Sequence, residues 1–268
     1  MDLNISENKK VLFIAYYFPP MGLSGVQRSL KFTKFLPEYN WTPIILSAES
    51  NDYYAYDESL LDEISPDVLI YRTKANSPSK KKNKKFPNYS IQKFGRYLLS
   101  YFYVPDTKIK WYKKALALAE KIIAEHQIEV ILATAPPFTS LILAKELSKK
   151  YDIPYVVDYR DLWVDNPYHY YPTPFHKNKN INLEHDVLNY AERIVVTTRF
   201  AKETLIKRYR FLNHNDISII HHGYDASDFV NLALSNSGNE KLIITHSGVF
   251  QDDRTPKYLL KSLKLYFL

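Results

Sequence analysis

The stretch KVLFIAYYFPPMGLSGVQRSLKFTKFLPEYNWTPIILS (residues 10–47) holds the pattern that decides the fold. Lys10 to Phe18 is a continuous apolar run of strand length, as expected of a parallel strand buried on both faces. Pro19 and Pro20 end it. From Gly25 the period changes: Val26, Leu30, Phe32, Thr33 and Phe35–Leu36 recur at helical spacing up to Pro37. Trp41 to Ser47 then reads as a second buried strand. Gly22 and Gly25, two of only six glycines in the chain, occupy the loop between first strand and helix. The unit is strand, glycine loop, helix, strand.

The alternation continues. Strands are predicted at Asp67–Arg72, Glu129–Ala133, Tyr155–Asp158, Arg193–Thr197 and Asp216–Ile220. Helices are predicted at Tyr112–His126, Thr139–Tyr151, Ile181–Ala191 and Phe200–Tyr209. Short strands alternating with such helices imply an α/β fold, a Rossmann-like open parallel sheet with helices on both faces. Beyond it, residues 232–240 are polar and linker-like. Lys241–Ser247 reads as a fresh strand, Gly248 follows, and Lys257–Leu265 reads as a helix. The expected organisation is therefore a domain over 1–231, a linker over 232–240, and the start of a second α/β domain over 241–268.

Composition narrows the class. The chain has 268 residues, 46% hydrophobic and 24% charged, the balance of a soluble globular protein. No run approaches the ~18 apolar residues of a membrane span. The N-terminus MDLNISENKK lacks the apolar core of a signal peptide. Without cysteine there are no disulfides and no thiolate metal sites, which fits a reducing compartment, and a cytoplasmic location is expected. The net charge of +7 favours anionic partners. Part of it lies in Lys80–Lys85, readable as a solvated loop. Together with Phe86–Pro87 and Ile91–Tyr103 it also suits an interfacial segment at the acidic inner face of a membrane. The plainer reading of Ile91–Tyr103 is an amphipathic helix packed on the sheet. No nucleic-acid motif accompanies the charge, and a nucleic-acid partner is not expected.

Two stretches carry candidate chemistry. In an open parallel sheet, ligands bind beyond the carboxyl ends of the strands. A glycine loop there lets backbone N–H groups approach a ligand, and the following helix adds its positive end, which suits phosphate. Gly22 and Gly25 match neither dinucleotide nor P-loop spacing, and a turn requiring positive φ explains them equally well. The second stretch is YVVDYRDLW (155–163), a buried strand ending in Asp158, Arg160 and Asp161, with Trp163 close behind. Asp161 can accept a hydroxyl proton or hydrogen-bond a sugar, Arg160 can hold an anion, and Trp163 can pack beneath a ring. A structural ion pair involving Asp158, Arg160 or Asp161, with Trp163 in the core, is the alternative.

Seven segments in order, from FPPMGLSGVQRSLKFTKFL with WTPIILS through VPDTKIKW, ATAPPFTSLILAKEL, IPYVVDYRDLW, RIVVTTRFAKETL and HHGYDASDF to ITHSGVFQDDRTPKYLLKSL, make the chain resemble the N-terminal half of family 4 glycosyltransferases, which have the two-domain GT-B fold. The resemblance implies transfer of a sugar from a nucleotide-diphosphate sugar to a glycan or lipid-linked acceptor, of the kind used in polysaccharide biosynthesis. It further implies retained anomeric configuration, no essential metal and no resident cofactor; the chain contains no Asp-x-Asp motif. Gly22 and Gly25 would face the donor diphosphate. Arg254, with Lys261 or Lys257, would offset its charge. Asp161 would be the catalytic-region residue, with Asp158, Arg160 and Trp163 on the acceptor side. His221–His222 stand where the family more often has Pro-Asn, and are read as an interdomain loop rather than metal ligands. The family continues through another domain of ~150 residues, bearing two glutamates eight positions apart. This chain lacks them, and alone it is expected to bind a nucleotide sugar weakly or not at all. The competing reading is a non-catalytic remnant or binding module for an anionic glycan or partner chain.

Overall fold

The computed structural model describes residues 8–49, 55–73, 89–230, 243–248, 250 and 255–267. The lysine run at 80–85, Phe86–Pro87, the linker at 232–240 and Arg254 lie outside the described residues. The chain divides into two compact units, Met1–Tyr224 and Asp225–Leu268.

The first unit holds seven parallel strands: β1 (Lys9–Ile14), β2 (Trp41–Ser47), β3 (Leu69–Arg72), β4 (Val130–Ala135), β5 (Tyr155–Tyr159), β6 (Arg193–Val196) and β7 (Ile217–Ile219). Among the described residues six α-helices belong to it: α1 (Gln27–Phe35), α2 (Tyr89–Phe102), α3 (Tyr112–Glu125), α4 (Thr139–Tyr151), α5 (Pro174–Tyr190) and α6 (Arg199–Arg208). The strand order is β3-β2-β1-β4-β5-β6-β7. The chain winds outward from β1 to β3, returns to β4 beside β1, and winds outward the other way. Strand order therefore reverses between β1 and β4, where open sheets of this kind form a crevice.

Register explains why the strands read as unbroken apolar runs. One row of side chains crosses six strands: Leu46, Ile14, Ala133, Val157, Ile194 and Ile217. These residues belong to the large core that also takes Ala115, Ala119 and Ile122 of α3 and Leu143, Ala144 and Leu147 of α4. The alternate positions point the other way. Phe13 and Ile45 form a second core with Phe18, against which Phe32 of α1 packs. A strand covered on both faces needs apolar residues at successive positions, and the sequence has them.

Most boundaries shift by one or two residues from the sequence expectation, and three places differ by more. β1 ends at Ile14 rather than at Phe18. Ala15 still donates to Leu46 O at 3.0 Å, and beyond it Tyr16 turns to the crevice while Phe18 is buried in the second core. α5 begins at Pro174, well before Ile181, because Thr173 caps it by accepting from the His176 amide and Pro174 takes the first helical position. Its first two turns are polar and give no apolar period. In the second unit, Ile243–Ser247 form no strand; a strand needs a hydrogen-bonded neighbour, and none is present among the described residues. α7 (Lys257–Tyr266) forms as expected. Among the described residues no helix is long and apolar enough to cross a membrane.

Candidate active site

A cleft of about 670 Å³ opens over the carboxyl ends of β1, β4 and β5. Tyr16 and Tyr17 arrive from β1, Glu49 from just beyond β2, Pro136 from β4, Arg160 and Asp161 from β5, and His222 from beyond β7. Ser24 and Gly25 close it from the loop before α1, and Lys108 from the 3-10 segment Thr107–Trp111. The cleft thus sits at the strand-order reversal.

The glycine loop is held by its neighbours. Residues Ser24–Val26 form one 3-10 turn leading into α1; neither segment has a side-chain cap or an acidic residue in its first turn. That leaves a positive helix end facing the cleft. Gly25 lines the cleft, and a Cβ there would lie 3.3 Å from Arg160 Nη1. Gly22 is required by packing instead: its Cβ would stand 3.0 Å from Asp57 N, Asp57 Cβ and Tyr56 C. Its amide donates to Ala55 O at 3.1 Å, beside the bridge between Met21 and Tyr56. The pair has two separate causes.

Arg160 fastens this loop to the sheet. Its guanidinium donates to the carbonyls of Gly25 and Pro136, and Nε donates to Ala135 O at 3.3 Å. Burial lowers its pKa, while Asp158 and Asp161 act in the opposite direction. Its donors are largely spent on backbone, so Arg160 shapes the cleft wall. Asp161, the next residue, is exposed in the cleft and makes no hydrogen bond or ion pair among the described residues. It is a carboxylate available to a ligand hydroxyl.

Asp158 and Trp163 lie elsewhere, and this corrects the expectation that they meet an acceptor directly. Asp158 is fully buried on the α1 face of β5, where it takes Nε (3.0 Å) and Nη2 (2.7 Å) of Arg28 and the Thr134 hydroxyl (2.8 Å). Arg28 Nη1 also donates to His221 O at 3.3 Å. One buried ion pair therefore joins the helix after the glycine loop, the two strands beneath the cleft, and the residue preceding His222. Trp163 is fully buried, stacked on Phe138 at 4.8 Å, with Nε1 donating to Asn180 Oδ1 at 2.8 Å. Neither side chain reaches solvent.

Other cleft groups went unnoticed in the sequence as site residues. Lys108 stands 5.0 Å from the Tyr16 ring, a cation–π contact, and its backbone N–H is capped by Asp106 at 2.8 Å. His222 has its pKa lowered, chiefly by desolvation and then by Arg28, which favours the neutral imidazole at the cleft. His221 Nδ1 lies 2.9 Å from Thr197 O, a carbonyl, so that nitrogen is the protonated donor. Lys261 lies exposed on α7 in the second unit.

The glycosyltransferase family 4 model matches residues 66–228, more than half of the chain. The chain belongs to glycosyltransferase family 4. Among solved structures, a sucrose-phosphate synthase from Thermosynechococcus elongatus is similar to it at a TM-score of 0.54 and 13% identity, over 82% of this chain and 49% of that one. Anabaena HepE in complex with UDP scores 0.44 at 14% identity, over 81% of this chain and 45% of that one. Acinetobacter baumannii MurG scores 0.41 at 9% identity, over 82% and 47%. No curated protein sequence matches. The chain spans about half the length of the synthase, and its first unit has the open α/β architecture of that GT-B neighbour. The family match covers Lys108, Pro136, Asp158–Asp161 and His222, while the glycine loop lies before it.

Proposed function

We propose that this chain supplies the acceptor side of a retaining, metal-independent glycosyltransferase with no resident cofactor, moving a sugar from a nucleotide-diphosphate donor to a glycan or lipid-linked acceptor. The observation that carries the reading is the cleft at the strand-order reversal, where exposed Asp161 faces an uncapped helix start across a wall held by Arg160. Asp161 orients or deprotonates an acceptor hydroxyl. The amides at Ser24 and Gly25 and the cation of Lys108 suit the diphosphate oxygens as charge builds on the leaving group. Arg254 and Lys261 are proposed, on the family resemblance, as cations for the donor diphosphate. Contact with an acidic membrane surface brings a lipid-linked acceptor within reach, and the site of action is proposed to be cytoplasmic.

The test uses protein expressed from the complete natural gene, incubated with radiolabelled nucleotide sugars and glycan or lipid extract, with and without EDTA. Transfer that persists in EDTA and yields a product with the donor's anomeric configuration supports the reading. Inversion or loss of transfer in EDTA contradicts those parts, and absence of transfer with every donor contradicts the whole.

A further inference from the structure

We propose that the exposed face formed by the end of α2 and the start of α5 docks onto an anionic lipid bilayer, an inference that rests on the reading of a lipid-linked acceptor. Tyr97, Leu98, Tyr101 and Phe102 are exposed on α2 at positions that share one helix face. Aromatic contacts continue that face onto α5: Phe102 to Tyr101 at 5.4 Å, Tyr101 to His176 at 5.1 Å, and His176 to Phe175 at 5.9 Å. A polar contact of 3.0 Å between His176 Nε2 and Tyr101 O pins the two helices together. Phe102 and Phe175, at the two ends of the ladder, are 69% and 71% exposed.

Charge selects the occupant. Residues 97–110 and 174–183 carry Lys108, Lys110, Lys177 and Lys179 and a single acid, Asp106. That acid is turned inward, accepting from the Thr139 amide at 3.0 Å and its hydroxyl at 2.9 Å. Lys110 lies 4.6 Å from the Tyr103 ring at the end of α2, and Lys177 and Lys179 are exposed on α5. The exposed acid on that side of α5, Asp186, lines a surface depression with Phe175 and Lys179 and is paired with Lys145 at 3.7 Å. A ridge of aromatic and leucine side chains with lysines in excess of acids suits the headgroup region of an anionic bilayer: rings enter the interface and ammonium groups meet lipid phosphates. Lys108, two residues before Lys110, lines the cleft.

The experiment is co-sedimentation of the chain with phosphatidylcholine vesicles, with and without phosphatidylglycerol, in the absence of nucleotide sugar. Binding is expected only with phosphatidylglycerol and should weaken with salt. Lys110→Gln, Lys177→Gln and Lys179→Gln should each lower partitioning roughly fivefold. The pair Phe102→Ser and Phe175→Ser should lower it by about tenfold or more. Phe200→Ser, an exposed ring on α6, should leave it unchanged. Equal binding to neutral vesicles, no binding, or binding untouched by both sets of variants overturns the proposal. So does a dimer in sedimentation velocity that the phenylalanine variants dissolve while vesicles capture nothing. Transfer to a water-soluble acceptor by the complete protein, measured separately, distinguishes a failed docking surface from a failed transferase.

Discussion

Glu184 of α5 gives the most quantitative prediction. Burial raises its pKa from 4.5 to about 7, although the Tyr209 hydroxyl, which donates to Oε2 at 2.7 Å, pulls it back down. The folded carboxyl thus holds its proton more tightly than the unfolded one. Its contribution to stability is complete below pH 4.5, declines as pH rises, and is lost above pH 7. A displacement of this size at ~1.4 kcal/mol per pH unit amounts to about 3 kcal/mol. Glu184→Gln keeps the acceptor for Tyr209 and cannot ionise. Relative to wild type, the variant should gain about 3 kcal/mol between pH 4.5 and pH 8, whatever the cost of the amide itself. Equilibrium urea unfolding of both proteins across that range reads the difference directly. In thermal melts the gap should widen by roughly 6–12 °C. A difference between the two proteins that stays flat with pH, or that moves against the variant as pH rises, refutes the argument.

Three further outcomes follow from the cleft. Gly22→Ala should destabilise the fold by ~1–3 kcal/mol in urea unfolding, because its new Cβ meets backbone at 3.0 Å and not a yielding side chain; an unchanged midpoint would contradict the packing. Arg28→Met should cost about 3–5 kcal/mol by stranding buried Asp158, and adding Asp158→Leu should recover most of that loss. If the double variant is no better than the single, charge is not the cause. Gly25→Val should lower sugar transfer by the complete protein by far more than a modest fall in thermal midpoint accounts for, since the added bulk displaces the Arg160 guanidinium that ties the loop to the sheet at the cleft. Undiminished transfer would remove the glycine loop from the site.

The sheet was legible because a parallel strand buried on both faces needs unbroken apolar residues, as in Val11–Ala15 and Ile44–Leu46, and such runs alternate with helical periods. That Gly25, Arg160 and Asp161 line one cleft was legible because a loop and charges directly follow buried strands. What they do was harder to read. Arg160 looked like an anion holder, but its donors go to three carbonyls fixed only by tertiary structure. The Arg28–Asp158 pair spans 130 residues of sequence, and no local pattern pairs them. Glu49, Lys108 and His222 come to the cleft from three separate loops, and no local pattern marks them as neighbours; His222 read only as part of an interdomain loop. Trp163 illustrates the opposite error: an aromatic next to charges looked like a ligand platform, whereas Phe138 and Asn180 hold it inside the core. The early start of α5 depends on a cap and a proline, signals weaker than apolar periodicity.

Sugar transfer is proposed to occur in the cleft that holds Asp161. The measurement that tests it most directly is the turnover of the complete protein against its Asp161→Ala variant, with thermal midpoints taken on the same samples. Asp161 is exposed and carries no structural bond among the described residues, so the midpoint should be unchanged. Turnover should fall by about 10²–10⁴-fold, the range for loss of a positioned proton acceptor. A variant that melts early yet transfers sugar at the normal rate per folded molecule would show that Asp161 supports the fold and that the chemistry lies elsewhere.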